Sequence, residues 1–243
     1  MPVHALAVRM KFVIIAPARS GSTLLRQVLN RHAQVCCHGE VFGLHRVLGH
    51  SVHAAHRLDM DEALALRRRD PLGFLDDHVF SSPRPVVGFK LLYPQLLHFE
   101  FAPVLQRLIS MPELRVVMLW RRNLIARHVS EARLRLSGGP RSDEERSERL
   151  RAALRPGAVE RSCRANLAAR TCALKLFDGH PTACIDYESL IGDYAAQRSL
   201  LGSFLGIDDG GWPPLPGKAS ETADPALLEL ERLAALQAYR DHP

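Results

Sequence analysis

Between an apolar run, FVIIA at 12–16, and an amphipathic stretch that continues from Leu24 stand Pro17, Ala18, Arg19, Ser20, Gly21, Ser22 and Thr23. Residues of these types at such a junction hold an anion. The first backbone N–H groups of a helix lack intrahelical partners and lie at the positive end of its dipole, so they bind phosphate or sulfate without a side-chain charge. Arg19 adds a permanently charged, forked donor. Ser20, Ser22 and Thr23 add hydroxyls, and Gly21 lets the backbone approach the ligand closely. The chemistry implied is the handling of a phosphoryl or sulfuryl group.

Two familiar loops of this kind fit poorly. The nucleoside triphosphatase pattern GxxxxGK[ST] needs a Gly where this chain has Ala16 and a Lys where it has Ser22, so the lysine that reaches a β- or γ-phosphate is missing. The dinucleotide fingerprint GxGxxG fails because Gly21 is the only glycine between Met1 and His38. The cation here precedes the glycine. A second motif lies at 114–130, where LRVVMLW has the continuous apolar character of a buried parallel strand and RRNLIARHVSEARLR follows with helical periodicity. Arg122 ends the strand, and Ser130 stands eight residues further on. Two strand ends of a doubly wound sheet open onto one crevice, where a nucleotide can be gripped at two phosphates.

In that shape PARSGSTLL resembles the 5′-phosphosulfate loop of sulfotransferases that use 3′-phosphoadenosine-5′-phosphosulfate (PAPS), and Arg122 with Ser130 is similar to the pair that binds the 3′-phosphate in that family. The Arg-Arg-Asn opening resembles the bacterial carbohydrate and glycolipid type, to which nodulation-factor and trehalose sulfotransferases belong. The resemblance implies a P-loop-like, three-layer α/β fold with a central parallel sheet flanked by helices. It also implies nucleotide contacts at Arg19, Ser20, Gly21, Ser22, Thr23, Leu24, Arg122 and Ser130, PAPS as co-substrate, adenosine 3′,5′-bisphosphate as product, and no metal. HGEVF (38–42) resembles the segment after the second strand in the bacterial group, where a Glu is the proposed general base, which points to Glu40. GFK (88–90) is also shared with that group, and Lys90 ends an apolar run in a chain with few lysines, which places it toward the sulfuryl group or the acceptor. DYESL (186–190) resembles a Tyr-Glu-Asp-Leu signature and is given no catalytic part.

Sulfuryl transfer relies on positioning and electrostatics, as phosphoryl transfer does. Arg19 is the residue expected to stabilise the leaving phosphate oxygen, and Glu40 must come within hydrogen-bond reach of the acceptor hydroxyl. His38 is the fallback base, since its ordinary pKa suits the task and it lies two residues earlier on the same strand. His45, His50, His53 and His56 form a cluster without an HExxH pattern or cysteine partner, so a helix face or pocket wall is favoured over a metal site. Two competing readings are a small-molecule kinase with a degenerate loop and a non-catalytic nucleotide-binding protein.

The elements that must position these groups can be traced along the chain. Strands are expected at 12–16, in QVCCHGEVF, in PRPVVGFKLLY, in LRVVMLW and in PTACIDYE, each followed by helical patterning. Residues 43–80 read as a helical insertion of two or three short helices, GLHRVLGHSVHAAH among them, and 137–160 as a mobile, charged excursion within a single domain. A helix is expected over PQLLHFEFAPVLQRLI, another over SLIGDYAAQRSLLGSFLG, and a last one over PALLELERLAALQAY. With 243 residues, 47% of them hydrophobic, the chain can bury one sizeable core. The net charge of +6 and pI near 9.4 suit an anionic nucleotide. Lys occurs only at 11, 90, 175 and 218, no basic block stands out, and aromatics make up 6%, so nucleic acid is not an expected partner. The expected partner is a small-molecule or glycan acceptor, and a homo-oligomer is compatible with the sequence. Five cysteines without a CxxC pair argue against a disulfide framework, and no apolar run approaches the ~20 residues of a membrane span. A cytoplasmic location is therefore expected.

Overall fold

The computed structural model describes residues 9–50, 54, 58–136, 142–208 and 210–215. Five strands form one sheet: β1 (Met10–Ala16), β2 (Val35–His38), β3 (Val86–Leu92), β4 (Arg115–Trp120) and β5 (Thr182–Asp186). Their order is β2-β3-β1-β4-β5, and every pairing is parallel. Because both faces of the sheet are covered, its central strands read as unbroken apolar runs. Alternate residues of β1 serve opposite cores. Val13 and Ile15 join Phe42, Phe74, Phe89, Phe101 and Phe177 on one side. Phe12, Ile14 and Ala16 join Leu25, Leu29, Leu190, Leu201 and Leu205 on the other.

The helices complete the three layers. They are α1 (Ser22–Arg31), α2 (Met60–Arg69), α3 (Pro71–Gly73, continued by a π-helical turn over Phe74–Val79), α4 (Tyr93–Leu96) and α5 (Ala102–Ile109). They continue with α6 (Leu124–Leu136), α7 (Asp143–Ala153), α8 (Pro156–Leu176), α9 (Tyr187–Gly192) and α10 (Tyr194–Leu205). From β1 the chain crosses by α1 toward β2, whereas from β4 it crosses by way of α8 toward β5, on the opposite side. The C-terminal ends of β1 and β4 thus flank the switch point where open α/β sheets bind ligands.

Several local expectations are corrected. Residues 43–50 are irregular, not helical, and most of the remainder of the expected GLHRVLGHSVHAAH helix lies outside the described residues. Gly49 sits at φ +71°, its carbonyl accepts from the Gly39 N–H, and Arg67 takes the carbonyls of Val41 and Arg46, so the backbone here pairs with distant groups rather than within a helix. The helix expected from Pro94 breaks after Leu96 and restarts through a 3₁₀ turn at Phe99–Phe101. The stretch after β5 is two helices, because the Asp193 side chain caps a fresh start by accepting from the Ala196 N–H. Residues 142–160 carry α7 and the first turn of α8, while 137–141 and the expected C-terminal helix lie outside the described residues.

Candidate functional site

The turn between β1 and α1 is shaped by two residues in the left-handed region, Arg19 at φ +64° and Gly21 at φ +86°. A non-glycine residue there is uncommon and holds local strain. Gly21 serves as the N-cap of α1 and no side chain caps that helix, so its first N–H groups, including those of Ser22, Thr23 and Leu24, remain directed at whatever occupies the turn. Ser20 departs from expectation: it is fully buried and its Oγ donates to the Pro17 carbonyl at 2.8 Å, so its hydroxyl closes the turn instead of facing a ligand. The exposed Arg19 donates from Nε to Ser130 Oγ at 3.0 Å, which leaves the two terminal nitrogens of its fork for an anion.

Beside this turn a buried lysine pairs with a half-buried carboxylate. Lys90, 5% exposed and two residues before the end of β3, places Nζ 2.8 Å from Glu40 Oε1 and donates to Thr23 Oγ1 at 3.3 Å. It is therefore an interior residue and not a snorkelling surface lysine. Gln95 holds the other carboxylate oxygen, donating from Nε2 to Glu40 Oε2 at 3.2 Å while its own Oε1 accepts from the Leu92 N–H at 2.9 Å. One cation thus links the candidate base to the candidate anion-binding turn. His38 does not share that position. It is fully buried against Cys36 Sγ and the His50 ring, and burial, reinforced by His50, pushes its imidazole down from the ordinary 6.5 to about 3. The pleat directs His38 inward, and Glu40 lies beyond the end of β2. His45 is exposed, His50 bonds to the His78 carbonyl, and His53 and His56 lie outside the described residues. Among the described residues no His, Cys, Asp and Glu side chains cluster in a group that could hold a metal.

At the end of β4, Arg122 keeps its side chain 63% exposed and pairs through Nε with Asp186 Oδ1 at 3.1 Å. It is not hydrogen-bonded to Ser130, which belongs to the Arg19 contact. The segment 186–188 explains the arrangement. Glu188 accepts from the backbone N–H groups of Arg122 at 2.9 Å and Asn123 at 3.1 Å, fixing the turn into α6. Tyr187 lies against Gly21 so closely that a Cβ at Gly21 would be 2.4 Å from Tyr187 Cδ2, and the Arg121 guanidinium stacks over the same ring at 5.0 Å. Buried Arg127 reaches from α6 to the Ala18 carbonyl at 3.4 Å and to Ser162 Oγ on α8 at 2.9 Å. Gln95, Arg127, Tyr187 and Glu188 are positioning residues that sequence reasoning missed. DYESL was visible as a motif, but nothing in it announced that its partners are Gly21 and two backbone amides.

A family model described as "Sulfotransferase family" matches residues 12–213, a span that contains every element of this site. The chain belongs to the sulfotransferase family. Its fold is also that of a sulfotransferase from Alicyclobacillus acidocaldarius, with a TM-score of 0.55 at 20% identity over 95% of this chain and 92% of the other. The sulfotransferase domain of the Synechococcus PCC 7002 olefin synthase aligns at 19% identity with a TM-score of 0.47, covering 95% and 94% of the two chains. Mouse sulfotransferase SULT7A1, complexed with PAP, aligns at 14% identity with a TM-score of 0.43, covering 97% of this chain and 68% of that one. No curated protein matches the sequence. In this sulfotransferase no helix among the described residues is long and apolar enough to cross a membrane.

Proposed function

We propose that this sulfotransferase transfers the sulfuryl group of PAPS to a hydroxyl of a carbohydrate, glycolipid or related small-molecule acceptor in a cytoplasmic setting, with Glu40 as general base. The observation that carries the reading is Lys90, whose one ammonium reaches both the Glu40 carboxylate and the Thr23 hydroxyl of the anion-binding turn. A base and an oxyanion site joined in this way serve a transfer in which a hydroxyl is deprotonated next to a bound anion.

The residues present fit the nucleotide. The uncapped start of α1 suits the 5′-phosphosulfate, and the exposed Arg122 after β4, with Ser130 once its hydroxyl exchanges Arg19 for the ligand, suits the 3′-phosphate. The acceptor oxygen forms a bond to sulfur as the bond from sulfur to the bridging phosphate oxygen breaks, and the acceptor proton passes to Glu40. Arg19 and the N–H groups of Ser22, Thr23 and Leu24 take up the charge growing on the leaving oxygen, while Lys90 balances the transferring group. Gln95 fixes the Glu40 carboxylate so that one oxygen stays oriented.

Calorimetry and a transfer assay with labelled PAPS test the reading. Adenosine 3′,5′-bisphosphate should bind and ATP with Mg²⁺ should not, and tight ATP binding without bisphosphate binding would replace this function with that of a kinase. Arg122→Ala should mainly weaken the bisphosphate, and Arg19→Ala should lower both binding and turnover. Glu40→Gln should keep nucleotide affinity and lose turnover about 10²–10⁴-fold, the usual worth of a general base. Unchanged turnover would remove Glu40 from that role.

A further inference from the structure

A cavity of about 520 Å³ opens among the segments that follow β2 and β3, with Leu44, Arg67, Arg68, His98 and Phe101 in its wall. It therefore stands at the same C-terminal end of the sheet as Glu40, Lys90 and Thr23, and its size is that of a small-molecule site. Glu40 is not part of the wall, but the turn that carries Glu40 is. The Gly43 and Leu48 N–H groups both donate to the Glu40 carbonyl, at 3.1 and 3.2 Å, so residues 40–48 form one folded unit with the base at its start and the Leu44 wall within it.

Arg67 gives the cavity its character. It is 3% exposed, and its hydrogen bonds go to backbone carbonyls. Its Nη1 donates to the Val41 carbonyl at 2.7 Å and the Arg46 carbonyl at 3.4 Å, and its Cζ lies 5.2 Å from the centre of the Phe101 ring. Carbonyl dipoles and a ring face hold the fork, and the Glu100 carboxylate lies near enough to act on its charge without a hydrogen bond or ion pair to it. Arg68 follows on the same wall and is exposed. The carboxylate in the lining, Glu100, lies 4.0 Å from His98 Nδ1. Two arginines against one carboxylate leave the wall positive, and a buried, preorganised guanidinium beside a second arginine is the arrangement that selects carboxylate, phosphate or sulfate groups.

We propose that this cavity is an anion subsite for the acceptor. The acceptor carries a carboxylate, phosphate or sulfate group that docks on Arg67 and Arg68, with its apolar or ring portion against Leu44 and Phe101, and its hydroxyl is thereby presented at Glu40. This deepens the proposed function and rests on it for the identity of the ligand as acceptor. Binding of the anion itself stands on the cavity alone.

The test compares phenyl phosphate, phenyl sulfate and phenylacetate with the neutral 2-phenylethanol, by calorimetry on the full chain, with and without saturating adenosine 3′,5′-bisphosphate. At least one anionic probe should bind about tenfold or more tightly than the neutral one with bisphosphate present, and Arg68→Ala should remove most of that preference, as expected for loss of a charge-assisted contact. Arg67→Met should remove the rest. If Arg67→Met fails to fold, Arg68→Ala decides alone, since its side chain is exposed. Equal binding of anionic and neutral probes overturns the proposal. So does an anion preference that survives Arg68→Ala but is lost in Arg19→Ala or on adding bisphosphate, because the probe then sits in the β1–α1 turn. If bisphosphate fails to bind while the Arg68-dependent preference persists, the nucleotide reading falls and the anion site remains.

Discussion

Gly21→Ala tests the architecture of the candidate anion-binding turn more directly than any charge removal. Two independent costs meet at this position. An alanine held at φ +86° meets the left-handed penalty of about 1–2 kcal/mol. Its Cβ would also stand 2.4 Å from Tyr187 Cδ2 and 3.0 Å from Cε2, far inside contact distance. The ring has little freedom to retreat, because Arg121 stacks over it and Glu188, the next residue, is fixed by two backbone amides. Overpacking of this kind costs about 1–3 kcal/mol, so the variant should lose roughly 2–5 kcal/mol in total. A double-mutant cycle separates the parts. In a Tyr187→Ala background the clash is gone and Gly21→Ala should cost only the 1–2 kcal/mol of backbone strain, giving a coupling of about 1–3 kcal/mol. Denaturant unfolding reads the stabilities, and bisphosphate titration should show Gly21→Ala binding weakened at least tenfold, since the first N–H groups of α1 no longer converge. A cost below about 0.5 kcal/mol, the level expected of an ordinary surface change, would refute the reasoning. A coupling near zero would show that Tyr187 does not set the turn.

Three other perturbations follow from the same contacts. Glu188→Gln should cost about 1–2 kcal/mol in denaturant unfolding, since it removes charge from two hydrogen bonds to backbone amides, and should weaken bisphosphate binding by misplacing Arg122; wild-type affinity would show that the β4 end is fixed by something else. Arg127→Met should cost about 2–4 kcal/mol by releasing Ala18, Ser162 and Glu131 at once, and Ser162→Ala about 1 kcal/mol, both read by chemical denaturation; a neutral Arg127→Met would show the network to be idle. Stability should also fall with acid. The His38 imidazole stays neutral in the fold down to about pH 3 but takes a proton near 6.5 when unfolded, so its contribution is complete above 6.5 and declines as pH drops from there toward 3. That decline amounts to roughly 2 kcal/mol at pH 5, and His38→Gln should flatten the unfolding free energy between pH 7 and 5; an unchanged slope would place the titration elsewhere.

What the sequence disclosed divides along a physical line. The strands were legible because a sheet covered on both faces needs apolar residues at nearly every position, and β1, β3 and β4 supply them over most of their length. Arg19, Gly21, Glu40 and Lys90 were legible because each departs from its local background: an arginine or a glycine at a strand-helix junction, or a charge closing an apolar run. Residues 43–50 misled because Leu and His recur there at helical spacing, while the competing partners of that backbone lie elsewhere, in Gly39 and in the Arg67 fork. Gln95, Tyr187 and Glu188 were hidden for a related reason. Their partners are a carboxylate 55 residues away, the bare Cα of a glycine and two amides, and a backbone amide leaves no mark in a sequence. Side chains that recognise backbone can be found only once the backbone has been placed. The candidate anion-binding turn and the groups that hold it in shape were therefore unequally visible. The DYESL segment, distinct as a motif yet mute as to role, acquires its meaning from strand order: β5 lies beside β4, so a carboxylate just past its end reaches the amides at the end of β4.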